Sequence, residues 1–475
     1  MPIFSSLLRA LLIFLVSGLT TRAADKPNVL FIIADDLNCD LGSYGDPEVK
    51  SPNIDALARR GVRFEHAYCQ YPVCNPSRTS FLTGRRPNAT KILGLPQGSR
   101  FSSDYKYGFH FRDTIPDTLT LPELFRRNGY VSARVGKIYH FGVPGQIGTS
   151  GLDDRQSWDY LANPAGRDKS EENKVFSLTP GYFGGSLSWL AADGADAEQT
   201  DGLGATAAIS LLEEYGASRQ PFFLAVGFYR PHTPYVAPRK YFDLYPSDRI
   251  ALPKLTDQDQ RREPAAAYAS LLPEEAALSD ALRRQAIQGY RASISFMDAQ
   301  VGRVVDALDR LGLTENTVIV FTSDHGYHAY EHGLWQKMSL FENSARVPLI
   351  VVAPGARKGT AAVTMSEMVD IYPTIADLCG LSPPAYVDGV SLRPALTDPE
   401  ALVKTHAYTQ LRRNGKDSYS VRTAQWRYTQ WEGGASGEQL YDMVADPGET
   451  RNLANEPRHA SVVAELRRRL AEYPR

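Results

Sequence analysis

After Pro27, residues 28–34 (NVLFIIA) run apolar almost without interruption and end on two aspartates, Asp35 and Asp36. A strand with one wet face alternates apolar and polar residues, so a run of this kind predicts a strand buried on both faces of a parallel sheet. Comparable runs at 131–135, 222–228, 317–322 and 347–352 are the best further strand candidates. Helical patterns with apolar residues at i, i+3 and i+4 lie between them, notably at 121–127 and 285–311. Strands alternating with helices predict an α/β fold built on a doubly wound sheet.

Two segments, 142–202 and 237–279, are rich in Gly, Pro and polar residues and long for plain connections. They are expected to fold over the sheet's edge as substrate-facing loops. Past 388–394 (DGVSLRP) the pattern changes to short strand-like pieces at 419–422 and 426–431, then a helix near 460–473. This predicts a main domain over 24–398 and a small C-terminal α+β subdomain over 399–475.

The chain starts with Arg9 in a short polar lead, an apolar run at 10–19 and small residues around Ala23, the pattern of a signal peptide spanning 1–23. That run is far short of the roughly 20 residues that cross a bilayer, and no later run approaches this length. The mature chain is therefore expected to be exported to the periplasm or beyond, with no stable membrane span; a retained N-terminal anchor is the alternative. Lys and Arg number 52 against 54 Asp and Glu, a net charge of −2, so nothing global attracts a polyanion and nucleic acid is not an expected partner. The cysteines, Cys39, Cys69, Cys74 and Cys379, are too few for a disulfide scaffold. If Cys74 serves chemistry, at most one bridge can form among the other three.

Open α/β sheets bind ligands beyond the carboxyl ends of their strands. Asp35 and Asp36 fall there, as do Lys137 and His140, His232, and Asp324 with His325. Two acidic pairs meeting at one edge repel unless a cation lies between them, and carboxylates favour Ca²⁺ or Mg²⁺ over Zn²⁺, with His325 a softer member of the set. Taken alone, Asp35 and Asp36 also fit a helix or turn cap. Cys74 stands in VCNPSRTSFLTG (73–84), where a helix is expected to begin after Pro76. A thiol near a helix N-terminus can have a depressed pKa and act as a nucleophile directly.

The same stretch is more specific than that. Cys74-x-Pro76-Ser77-Arg78, followed by Leu82-Thr83-Gly84-Arg85, resembles the sulfatase signature, in which the cysteine is oxidised to Cα-formylglycine. The resemblance continues in order through Val135-Gly136-Lys137 with His140, Arg230-Pro231-His232-Thr233-Pro234, Ser323-Asp324-His325-Gly326, Glu331-His332-Gly333 with Lys337, and Leu440-Tyr441-Asp442. Within the family the chain looks most like the iduronate-2-sulfatase group, especially in LAVGFYRPHTP (224–234). It implies an alkaline-phosphatase-like sulfatase fold, a large mixed, mostly parallel sheet sandwiched by helices.

By that resemblance, Asp35, Asp36, Asp324 and His325 bind one Ca²⁺ together with an oxygen of modified Cys74. Arg78 holds the aldehyde hydrate and the metal-side carboxylates, while Lys137, His232 and Lys337 clamp the sulfate. His232 or Lys337 protonates the departing alcohol, and His140 assists the second deprotonation of the hydrate. The implied substrate is a sulfated saccharide, such as a 2-O-sulfated uronic acid of a glycosaminoglycan or related polysaccharide, and the implied partner is a formylglycine-generating maturase. The competing functions are a phosphoester or phosphonate hydrolase on the same scaffold and a non-catalytic sulfated-glycan binding protein. His328 and His332 are read as structural or supporting groups, His66, His110, His406 and His459 as surface or core, and Arg85 and Arg86 as contacts of an anionic substrate, as helix caps or as partners of acids.

Overall fold

The computed structural model describes residues 26–95 and 110–473; the leader expected at 1–23 lies outside them. Asn28–Asp35 is a strand buried at every position, inside an eight-stranded sheet. Thr317–Ser323 and Phe222–Pro231 flank it in parallel, so that Ile32 stands between Phe321 and Val226. Beyond Phe222–Pro231 come Val131–Gly136 and the edge strand Tyr160–Ala162, both parallel. Beyond Thr317–Ser323 come Leu349–Val352, Val62–Tyr68 and the edge strand Thr360–Glu367. Leu349–Val352 runs antiparallel to both neighbours, so the sheet is mixed and mostly parallel.

Alternate side chains of the first strand serve opposite layers. Leu30, Ile32 and Ala34 pack with the helices Thr200–Ser218 and Asp280–Arg310, whereas Val29, Phe31 and Ile33 pack with Cys74–Thr83, Leu121–Arg127 and Ile371–Leu378. Each large apolar side chain buried in this way contributes about 1.5–3 kcal/mol of transfer free energy, which explains the nearly unbroken run.

The segments expected as loops carry more structure than that. Phe176–Ser177, Ser188–Ala192 and Tyr235–Pro238 form a three-stranded sheet, and the Thr200–Ser218 helix starts within the first segment. After residue 398, the strands His406–Arg413, Lys416–Thr423, Trp426–Gln430 and Glu438–Asp442 form an antiparallel sheet. Val463, Leu466 and Leu470 of the Ala460–Ala471 helix cover it by packing on Val421, Tyr428 and Leu440. Arg86 joins the two parts: its guanidinium grips Glu367 at 2.7 and 2.6 Å and lies 5.7 and 5.3 Å from the ring centres of Tyr408 and Tyr473. Arg85 instead stacks 5.2 Å from the ring of Tyr386. All four cysteines are free. Among the described residues no helix is long and apolar enough to cross a membrane.

Candidate active site

The residues picked out by motif converge beyond the carboxyl ends of the central strands. Asp35 closes the first strand, and Asp36 follows in the left-handed region, with φ 65°. Tyr290 holds this turn from the long Asp280–Arg310 helix: its hydroxyl donates to the Asp36 carbonyl at 2.9 Å and accepts the Asn38 N–H at 3.0 Å. Ser323 ties the neighbouring strand end to it, accepting the Leu37 N–H at 2.9 Å and donating to the His325 carbonyl at 2.9 Å.

Cys74 is the first residue of its helix, which spans Cys74–Thr83 and so begins three residues earlier than Ser77. Pro76 falls in the first turn, where the N–H it lacks would have no helical partner anyway. The Cys74 thiol is 1% exposed. Its Sγ lies 3.4 Å from His325 Nε2, 3.3 Å from Lys337 Nζ and 3.9 Å from Asp36 Oδ1.

Three buried acids face three buried cations. Arg78, fully buried, donates Nε to Asp324 and Nη2 to Asp35, both at 2.9 Å, and Nη1 to the carbonyls of Lys137 and Ile138 at 2.7 and 2.9 Å. Lys137 donates to Asp35 and Lys337 to Asp36. Burial works against the Asp35 charge, but Lys137, Arg78 and Lys337 outweigh it and hold this carboxyl well below its usual range. At Asp36 burial prevails over Lys337, and the pKa rises. Burial also opposes the Lys337 cation, yet Asp36 and its neighbours outweigh it and raise the ammonium's pKa.

The depressed thiol pKa expected at the helix N-terminus is not found. Burial pushes the Cys74 thiol well above its ordinary value, although Lys337 and Lys137 pull the other way. The desolvation of a buried thiolate exceeds what the helix end supplies, so a plain thiol here is protonated and a poor nucleophile.

The donor set fits a hard divalent cation. One ligand atom each from Asp36, Cys74, Asp324 and His325 lies within 4.8 Å of all the others. His325 Nδ1 sits 2.9 Å from the Gly326 carbonyl, so its proton is committed there and Nε2 turns a lone pair toward the cluster. Asp35 stands beside these four with its oxygens on Arg78 and Lys137.

Cys74, His140, His232 and Lys337 open into a cavity of about 560 Å³, walled by Phe141, Tyr182, Phe183 and the glycine-rich turns 142–145 and 181–185. Lys137 is not among its lining residues and reaches the site through Asp35. Burial, then Lys337, holds His232 well below its usual pKa, and burial, then Lys137, does the same for His140, so both rings are neutral. His232 Nδ1 lies 2.5 Å from the Thr233 carbonyl, and among the described residues His140 Nδ1 is buried without a partner.

His328 and His332 brace the lysine loop instead. His328 Nε2 lies 2.7 Å from Ser339 Oγ, and His332 Nδ1 lies 2.8 Å from Asp259 while its ring stacks 4.0 Å from that of Phe341. Sequence reasoning missed Tyr290, and gave no role to Ser323 or Arg230, although both stand in quoted motifs. Arg230 is 2% exposed, donates to the carbonyls of His232 and Pro234 at 3.2 and 2.8 Å, and pairs with Asp168. Its place in the RPHTP motif was the available signal; Tyr290 has none, since it reads as one more core aromatic of an amphipathic helix.

Residues 27–381 match the family described as Sulfatase, and residues 330–475 match the family described as N-sulphoglucosamine sulphohydrolase, C-terminal. A protein of Formosa agariphila named "Sulfatase" is 34% identical over 463 residues, covering 94% of this chain and 86% of the relative. The iduronate 2-sulfatase of Mus musculus is 32% identical over 556 residues, covering 98% and 97%. Among solved structures, the phosphonate monoester hydrolase of Agrobacterium radiobacter superposes with a TM-score of 0.74 at 22% identity, covering 94% and 95%, a likeness of fold.

Proposed function

The chain belongs to the sulfatase family and is a sulfuric ester hydrolase, and from that premise we propose that it removes ester sulfate from a saccharide with a nucleophile made from Cys74. The substrate class we infer is a 2-O-sulfated uronic acid of a glycosaminoglycan or related polysaccharide, which is supported by the likeness to iduronate 2-sulfatase over nearly the whole of both chains. The observation that carries the proposal is Cys74 itself, opening into a cavity with Lys337 and His232 and backed by Asp36, Asp324 and His325. The leader signature at 1–23 supports export of the mature enzyme.

Oxidation of Cys74 to formylglycine by a maturase would supply a hydrated aldehyde, with one hydroxyl to attack sulfur and a second to expel sulfate, so that no water has to attack the sulfated enzyme. A calcium ion held by Asp36, Asp324, His325 and residue 74, with Asp35 beside them, would supply positive charge at that nucleophile.

The remaining work falls to the chain's own side chains. Arg78 fixes the directions of Asp35 and Asp324, and Lys137 holds the second oxygen of Asp35. Lys337, kept protonated and facing the cavity, binds a sulfate oxygen. Negative charge grows on the leaving oxygen as the S–O bond breaks, and a positioned acid there contributes about 10²–10⁴-fold. Lys337 already carries a proton for it. His232 bonds through Nδ1 to Thr233, so its Nε2 becomes a donor only after protonation, which an anionic sulfate favours. His140, neutral and with a free Nδ1, is suited to accept the second proton of the hydrate.

The test is mass spectrometry of the tryptic peptide spanning 64–78, together with sulfate release from a panel of sulfated disaccharides and from matched aryl sulfate and aryl phosphate. Conversion of the Cys74 thiol to an aldehyde, with sulfate turnover dominant, is the expected result. An unmodified thiol in fully active enzyme, or a preference for phosphate, would overturn it.

A further inference from the structure

Lys337 stands between two residues in the left-handed region, Gln336 at φ 65° and Met338 at φ 68°. Neither is glycine, so both conformations depend on support from outside the loop. Gln336 is supported by pairing with His328 and by its side-chain amide, which donates to Glu275 at 2.6 Å. Met338 is supported on both sides: its N–H donates to the Pro72 carbonyl at 3.3 Å, and its carbonyl accepts Arg413 Nη2 at 2.7 Å.

Arg413 is the last residue of the His406–Arg413 strand in the C-terminal sheet. Its Nη1 donates to the Ala266 carbonyl at 3.2 Å, so one guanidinium ties together the C-terminal sheet, the 237–279 segment and the lysine loop. Among the described residues it pairs with no carboxylate, and burial lowers its pKa. A half-buried ion without an opposite charge adds little to stability, which leaves the placement of the two carbonyls as what it accomplishes.

We propose that Arg413 is a positioning residue, through which the C-terminal subdomain sets where the Lys337 ammonium stands against Cys74 and Asp36. The anchored carbonyl is one residue from Lys337, whose Nζ lies 3.3 Å from Cys74 Sγ. A shift of about 1 Å at that distance is enough to cost a large part of the catalysis. The inference rests on the reading of Lys337 as the cation that meets the sulfate, and it makes the C-terminal sheet part of the catalytic apparatus.

The experiment is a double-mutant cycle on the full-length, matured enzyme with 4-nitrophenyl sulfate: wild type, Lys337→Ala, Arg413→Met and the double variant, each checked by thermal melting. Arg413→Met is expected to lower kcat/KM by about 10–100-fold, mainly through kcat, when Lys337 is present. In the Lys337→Ala background the same change is expected to cost less than about 2-fold, and Arg413→Lys to restore part of the loss. Equal losses in both backgrounds, or no loss in either, overturn the inference. If Arg413→Met does not fold, the cycle is run with Arg413→Lys and judged by the same criterion. A wild-type enzyme that releases no sulfate from any ester refutes the functional reading and this inference together, whereas wild-type turnover with additive losses refutes this inference alone.

Discussion

Replacing Arg78 by methionine tests whether the acidic cluster depends on the protein's own cations. Methionine occupies part of the stem's volume but donates nothing, so Asp35, Asp324 and the carbonyls of Lys137 and Ile138 lose a partner at once. Asp35 keeps Lys137, while Asp324 keeps N–H donors from Asp36 and His325, each at 3.1 Å. Removing one member of a buried ion pair costs about 3–5 kcal/mol, because the charge left behind stays out of water. With about 2.1 cal/mol/K of unfolding entropy per residue, a chain of 475 residues loses about 1 °C of melting temperature per kcal/mol, so a drop of about 3–5 °C is expected in chelator. Calcium should stabilise the variant more than the wild type, since a more anionic cluster binds a cation more tightly and a ligand specific to the folded state adds RT ln(1 + [L]/Kd). Differential scanning calorimetry in EDTA and in excess CaCl₂ reads both quantities. Melting within about 1 °C of wild type in EDTA would refute the desolvated-pair reasoning, and an equal calcium shift would refute the link between the cluster's charge and the metal.

Cys74→Ala should abolish sulfate release while leaving the melting temperature nearly unchanged, because only a small buried thiol is removed; a sulfate-release assay beside a thermal melt checks this. The Asp259–His332 pair should make stability depend on pH. Burial opposes both charges, but each partner outweighs it, pulling Asp259 from 3.8 to about 2 and raising His332 above 6.5. The Asp259 contribution, about 2 kcal/mol, is present above pH 3.8 and lost as pH falls through about 2; that of His332 is present below pH 6.5 and lost as pH rises through its raised pKa. Urea midpoints should therefore be highest between these limits, and His332→Gln should lower that plateau and remove the fall above pH 6.5. Arg86→Met should loosen the C-terminal subdomain by leaving Glu367 with Lys404 as its remaining cation, seen as faster limited proteolysis near residues 399–405.

What was legible in the sequence followed from how demanding each position is. The strand at 28–34 could be read because both of its faces are buried, and Val62–Tyr68 could not, because Arg63, Glu65 and His66 are only half buried and break the apolar run. The acids and cations of the site were legible because their chemistry admits few residue types and a parallel sheet delivers them to one edge. Tyr290 and Arg413 were not, since their roles exist only through contacts with Asp36 and Met338, 254 and 75 residues away along the chain.

The thiol of Cys74 shows why such contacts matter beyond geometry. A helix N-terminus is visible in a sequence and argues for a thiolate; the burial that reverses the sign is a property of the folded chain that the motif does not display. The same burial presses His140 and His232 toward neutrality and makes the balance among Asp36, Lys337 and a divalent cation sensitive to each charge removed. Motifs therefore identify which groups can react, while the protonation state in which they meet the substrate is set by packing, and the two are separable: substitutions that let water reach Cys74 should move these pKa values without touching any motif residue.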